Sequence, residues 1–119
     1  MLNLDTHILL FALLGTLTRH EKAVLARHHW GVSAIVLWEI ARLHQLGRIT
    51  LGLESPLLMQ ALDRIEIWPL SREVCLNLAS LDFRSDPANE LIAATSLTYQ
   101  VPLLTRDTRI RKSTLIQFA

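Results

Sequence analysis

The 119 residues carry a formal net charge of +1 and are 50% hydrophobic. That length suits a single globular domain, 1–119, with a sizeable core and little room for a second. Near-neutrality excludes partners held by bulk electrostatic attraction, so nucleic acid could be recognised only through a local patch.

In chain order, the opening "MLNLDTHILLFALLGTL" has no basic leader and places Asp5 and His7 ahead of its apolar stretch, unlike a signal peptide. The stretch is also too short to cross a bilayer, so no membrane role is expected. It reads instead as a buried strand, Leu2 to Leu4, running into a helix that Asp5 and Thr6 open with a capping side chain. Residues from about Thr18 to His28 are expected to be helical, and Trp30 to Val32 form a brief strand. Ser33 caps an amphipathic helix, "SAIVLWEIARLHQLG", that Gly47 ends. A short helix follows Pro56, "IEIWPL" reads as a strand up to Pro69, and Ser71 caps a helix through about Ala79. Asp86 and Pro87 start a helix that runs to about Tyr99, and "VPLLT" and "LIQF" supply two more short strands.

Short strands alternating with helices predict an α/β fold with a parallel sheet covered on both faces. The lone cysteine, Cys75, sits in a helix-like apolar pattern and is expected to be a small buried hydrophobe. So few thiols fit a reducing, cytoplasmic compartment.

In such sheets ligands bind beyond the carboxyl ends of the strands. Asp5 follows the first strand and Asp107 follows a later one. Glu39 lies four residues after Ile35 and four before Leu43, which places it with Ile35, Val36, Leu43 and Leu46 on the inward face of its helix. A carboxylate there must find a partner such as Arg42 or Arg106, shift its pKa, or meet a cation. Three acids gathered at the strand ends would welcome a divalent ion, and oxygen-only ligands favour magnesium or manganese over zinc. The five histidines show no zinc-ligand spacing and none stands out as a general base. Thr6 and Thr105 are placed to hydrogen-bond the acids or their waters. Arg106, Arg109, Arg111 and Lys112 cluster beside Asp107 and could engage the backbone phosphates of a nucleic acid or form a solvated turn. Trp30, Trp38 and Trp68 read as packing or interface residues.

"MLNLDTHILLFAL", "VSAIVLWEIARLHQLGRI", "DPANELIAATSL" and "VPLLTRDTRI" together resemble the signature segments of PIN-domain ribonucleases, most closely the VapC-type toxins of bacterial toxin-antitoxin pairs. The resemblance spans essentially the whole chain. It implies a three-layer α/β/α sandwich with a central parallel sheet, Mg2+- or Mn2+-dependent endoribonuclease activity, a homodimer, and a cognate antitoxin that inserts a segment near the active site. It also implies that Asp5, Glu39 and Asp107 are the metal-binding acids, with Thr105 as a nearby hydroxyl, and that Asn89 stands where a further carboxylate is usual.

Asn89 could still offer a carbonyl oxygen but removes one negative charge, so weaker metal binding is expected. Glu90, about 100° further around the helix, leaves the face that Asn89 shares with Ile92, Ala93 and Ser96. The alternative is an impaired PIN domain that binds RNA or antitoxin without cleavage. A receiver- or phosphatase-like phosphoryl-transfer domain also gathers aspartates. It would want a lysine near the last strand, and Lys22 and Lys112 are both poorly placed for that. The four glycines form no phosphate-binding loop. The apolar surface around Leu9–Leu14 and Ile35–Leu46 suits a second copy, an antitoxin segment or ordinary core.

Overall fold

The computed structural model describes residues 1–119. Strand β1 (Leu2–Leu4) is followed by helices α1 (Thr6–Leu14) and α2 (Arg19–Ala26), then by β2 (Trp30–Ser33), α3 (Ala34–Gln45) and α4 (Pro56–Leu62). Strand β3 (Glu66–Trp68) leads into α5 (Arg72–Leu76) and a 3-10 turn at Asn77–Ser80. The chain ends with α6 (Pro87–Tyr99), β4 (Leu103–Leu104) and α7 (Thr108–Arg111).

The four strands form one parallel sheet in the order β3-β2-β1-β4, flanked by helices as expected. Every residue of β1 is buried, because a parallel sheet with helices on both faces leaves no wet side. Leu2 and Leu4 point to one face and Asn3 to the other. Asn3 meets α6, where its amide donates to the Ile92 carbonyl at 3.0 Å and to Ser96 Oγ at 2.9 Å. Those two bonds fix α6 against the central strand.

Chain order decides where a ligand can sit. β1, β2 and β3 step outward in one direction, then β4 returns to the far side of β1 and pairs Asn3 with Leu103 and Leu4 with Leu104. This reversal opens a crevice beyond the carboxyl ends of β1 and β4. Asp5 and Thr105 follow those ends directly.

Local signals set the helices. Thr18 and Glu21 form a reciprocal capping box at α2, and Gly15 ends α1 in the left-handed region at φ 77°. The largest departure from expectation on the sheet is "LIQF", which forms no strand: Phe118 makes a single parallel bridge to Leu103. β4 is two residues long, so the ladder has nothing further to extend along.

Two side chains differ from their expected burial. Cys75 is exposed, because the five-residue α5 turns only Val74 inward and leaves its neighbour facing out. Leu46 caps α3 and is 49% exposed, having run past the last turn that touches the core. Leu14 and Trp38 are also exposed, whereas Leu9 and Leu10 lie in the core.

Candidate functional site

At the β1/β4 crevice lies an open pocket of about 370 Å³, lined by Asp5, His7, Phe11, Glu39, Asp86, Asn89, Arg106 and Asp107. Four separate parts of the chain supply these groups, so the topology brings together what the sequence keeps far apart.

Three aspartates do two things at once. Asp5, Asp86 and Asp107 are the N-caps of α1, α6 and α7. Asp5 Oδ1 accepts from the Ile8 amide at 2.9 Å, and Asp86 Oδ1 accepts from the Asn89 amide at 2.9 Å. Asp107 Oδ1 accepts from the Arg109 and Ile110 amides at 2.9 and 3.0 Å. A carboxylate at a helix start satisfies amides that have no partner within the helix and meets the positive end of the helix dipole.

Two threonines tie the acids together. Thr105 donates its hydroxyl to Asp5 Oδ2 and accepts the Asp107 amide at 3.0 Å, which links the exits of β1 and β4 through one oxygen. Thr6 donates to Glu39 Oε1, which holds that half-buried side chain toward α1. Neither arginine expected as a partner for Glu39 reaches it. Asp5 is 5% exposed, and burial pushes its carboxyl above the ordinary value, partly offset by the Thr105 hydroxyl, the Ile8 amide and the charge of His7, while Asp107 adds to the rise.

Asn89 occupies the wall opposite. Its Nδ2 donates to Asp107 Oδ2 at 3.2 Å, to Ser85 Oγ at 3.1 Å and to Asp86 Oδ2 at 3.3 Å. The amide therefore bridges two carboxylates with N–H groups. Glu90 turns away and accepts from the Ser85 amide at 2.9 Å. No three acidic, histidine or cysteine side chains converge closely enough to hold one metal ion together. Asp5, Glu39 and Asp107 share the pocket without forming a tight cluster.

The four cations near Asp107 separate. Arg106 lines the pocket, Arg109 and Lys112 are exposed and not among its lining residues, and Arg111 donates to the Thr105 carbonyl at 3.2 Å while stacking 5.2 Å from the Phe118 ring centroid. Arg106 pairs side-on with Glu21, Nε to Oε2 at 2.7 Å and Nη2 to Oε1 at 2.6 Å. The guanidinium beside Glu21 holds its carboxyl down at about 2, against burial that would raise it. Sequence reasoning missed Glu21, which the structure has in the capping box of α2, and missed His7 and Phe11, which the first turns of α1 carry to the pocket rim.

The sequence matches the PIN domain family over residues 3–114. Comparison with curated proteins gives no match. Among solved structures, the chain is similar to the VapBC2 complex of Rickettsia felis bound to a promoter DNA fragment, with a TM-score of 0.77 and 17% identity over 100% of this chain and 98% of that one. FitAcB of Neisseria gonorrhoeae superposes with a TM-score of 0.71 at 22% identity over 100% and 97%. DNA-bound VapBC of Salmonella typhimurium gives 0.67 at 14% identity over 99% and 96%. At these identities the structures speak for the fold, while the family match runs through the sequence from β1 to beyond α7: the chain belongs to the PIN domain family.

Proposed function

We propose that this protein is a metal-dependent endoribonuclease and the toxin of a toxin-antitoxin pair. Nuclease activity is general to the family. The observation that carries the reading is the shared pocket at the β1/β4 crevice, where Asp5, Glu39 and Asp107 face a common space. Its donors are oxygens, which suits Mg2+ or Mn2+ and not zinc. Magnesium commonly takes one or two carboxylates and completes its shell with water and substrate phosphate, so a pocket without three converging acids still fits it. Asp5 and Glu39 would hold the ion, with Asp107 across the pocket. A bound divalent cation supplies charge neutralisation at phosphate and lowers the pKa of water.

The chain's own residues set the rest. Thr105 fixes Asp5 and the Asp107 backbone in one orientation, and Thr6 fixes Glu39. Asn89 engages Asp107 through N–H groups, adding no negative charge, which lowers the pocket's pull on a cation. Arg106 meets substrate phosphate at the rim. The neighbouring structures are toxin-antitoxin complexes, which supports an antitoxin as partner. Exposed Leu14, Trp38 and Leu46 provide apolar surface for that partner or for a second copy in a homodimer.

The test is cleavage of a labelled RNA titrated with Mg2+ or Mn2+. We expect cleavage to stop in EDTA and in Asp5→Asn, and cleavage that survives either would overturn the reading. RNA binding without turnover at millimolar Mn2+ would instead favour a binding domain, the outcome Asn89 makes plausible.

A further inference from the structure

Arg106 is held more firmly than a phosphate contact on a loop needs to be. Glu21 takes its Nε and Nη2 in a two-pronged pair, the Thr16 carbonyl accepts from Nη2 at 3.2 Å, and the Phe11 ring lies beneath with its centroid 4.1 Å from Cζ. Glu21 is itself fixed. Its Oε1 also accepts the Thr18 amide at 2.8 Å, its own amide binds Thr18 Oγ1 at 3.2 Å, and its side chain is 7% exposed. Nη1 alone has no partner in the chain, and the Arg106 side chain is 42% exposed.

The setting gives that free edge a purpose. Among the eight lining residues, Arg106 is the one guanidinium or ammonium group, facing Asp5, Glu39, Asp86 and Asp107. A phosphate approaching such a wall meets net negative charge. A pre-oriented guanidinium loses less side-chain entropy on binding it than a free one would.

We propose that Glu21 is a positioning residue for RNA, holding Arg106 against Phe11 so that its unpaired Nη1 edge is presented to a backbone phosphate at the acidic pocket. The inference rests on the ribonuclease reading above and adds to it the device that lets an acid-lined pocket accept an anion. Glu21 acts through Arg106 and touches no substrate. The Arg106 guanidinium holds the Glu21 carboxyl down at about 2, so the clamp is charged at neutral pH.

Simple charge counting and positioning predict opposite signs for one variant. Glu21→Gln removes a negative charge near the RNA, so bulk electrostatics alone predicts tighter binding. Positioning predicts weaker binding, by about threefold to tenfold, with KM raised and kcat little changed. Binding is read by fluorescence anisotropy of a labelled single-stranded RNA in EDTA, across a range of NaCl. Arg106→Gln should lower the salt slope by about 0.7, the loss of one phosphate contact on a single strand.

The charge-swapped double variant Glu21→Arg/Arg106→Glu guards against a folding artefact. It keeps the net charge and sets the two opposite charges on exchanged positions, so with its melting temperature recorded alongside those of the single variants it should leave RNA binding no tighter than in Arg106→Gln. Glu21→Gln binding RNA as tightly as wild type, or the swap restoring binding, would overturn the inference while leaving the nuclease reading intact. A wild-type chain that neither binds nor cuts RNA would overturn both.

Discussion

Asn89→Asp puts a carboxylate where an amide now donates to Asp107 Oδ2 at 3.2 Å and Asp86 Oδ2 at 3.3 Å. Both bonds become contacts between like charges. Two unit charges about 4 Å apart repel by about 1 kcal/mol in water and about 4 kcal/mol at an effective dielectric near 20. Asn89 is half-buried at an open pocket, so the lower end applies, and the side chain can swing toward solvent. Two such pairs and the lost hydrogen bonds come to about 2 kcal/mol. At about 2.1 cal/mol/K of unfolding entropy per residue, that lowers the Tm of this chain by about 8 °C. The assay is a thermal melt in EDTA and again in 10 mM MgCl2, with NaCl at matched ionic strength as a control for screening. Magnesium should close more than half of the gap and NaCl should not. Cleavage at subsaturating magnesium should rise about tenfold, the scale on which one ligand environment changes metal affinity. A variant as stable as wild type in EDTA, a gap that NaCl closes equally well, or a rate no higher than wild type would refute the account of Asn89.

Other perturbations have definite signs. Asp5→Asn should abolish cleavage yet raise Tm by about 2–5 °C, roughly 1 kcal/mol, since asparagine caps α1 nearly as well and carries no buried charge. Asp5 has a folded pKa raised above its unfolded value, so its contribution falls as pH rises from about 4, and the advantage of the variant should shrink in melts at acid pH. Glu21 has the opposite sign. With a folded pKa of about 2 against an ordinary 4.5, it contributes stability above pH 4.5 that is lost as pH falls toward 2, so Glu21→Gln should flatten that limb of an acid titration followed by circular dichroism. Gly31→Ala would bring a new methyl within 2.5 Å of the Trp68 ring, which is 6% exposed and stacked on Tyr99 at 5.5 Å. We expect a loss of about 1–3 kcal/mol in chemical denaturation, and a full-strength wild-type midpoint would contradict the packing of β2 against β3.

What the sequence disclosed follows from range. Helix starts are local events, so Asp5, Ser33, Ser71 and Asp86 could each be read from a few neighbouring residues, and the structure has each as an N-cap. Glu39 was legible as a carboxylate in an apolar stripe, but its partner was not, since Thr6 lies on another element. The Arg106–Glu21 pair joins residues that no periodicity relates, and the structure has Glu21 serving its own helix in a capping box as well, a local role that does not point toward Arg106. Cys75 and Leu46 were misplaced for a related reason. A hydrophobic pattern gives the face of a helix but not how far along the helix that face stays covered, and Cys75 on α5 and Leu46 at the end of α3 are left exposed.

Because one oxygen of Asp5, Asp86 and Asp107 is tied to a backbone amide and the other accepts from a side chain, Thr105 for Asp5 and Asn89 for the other two, none of these carboxylates can pivot freely. The same atoms start three helices. Truncation to alanine at these positions would therefore unravel scaffold and chemistry together, and an inactive alanine variant would report on neither cleanly. The isosteric amide keeps the capping oxygen and cancels the charge, and the chain already carries that chemical distinction at Asn89.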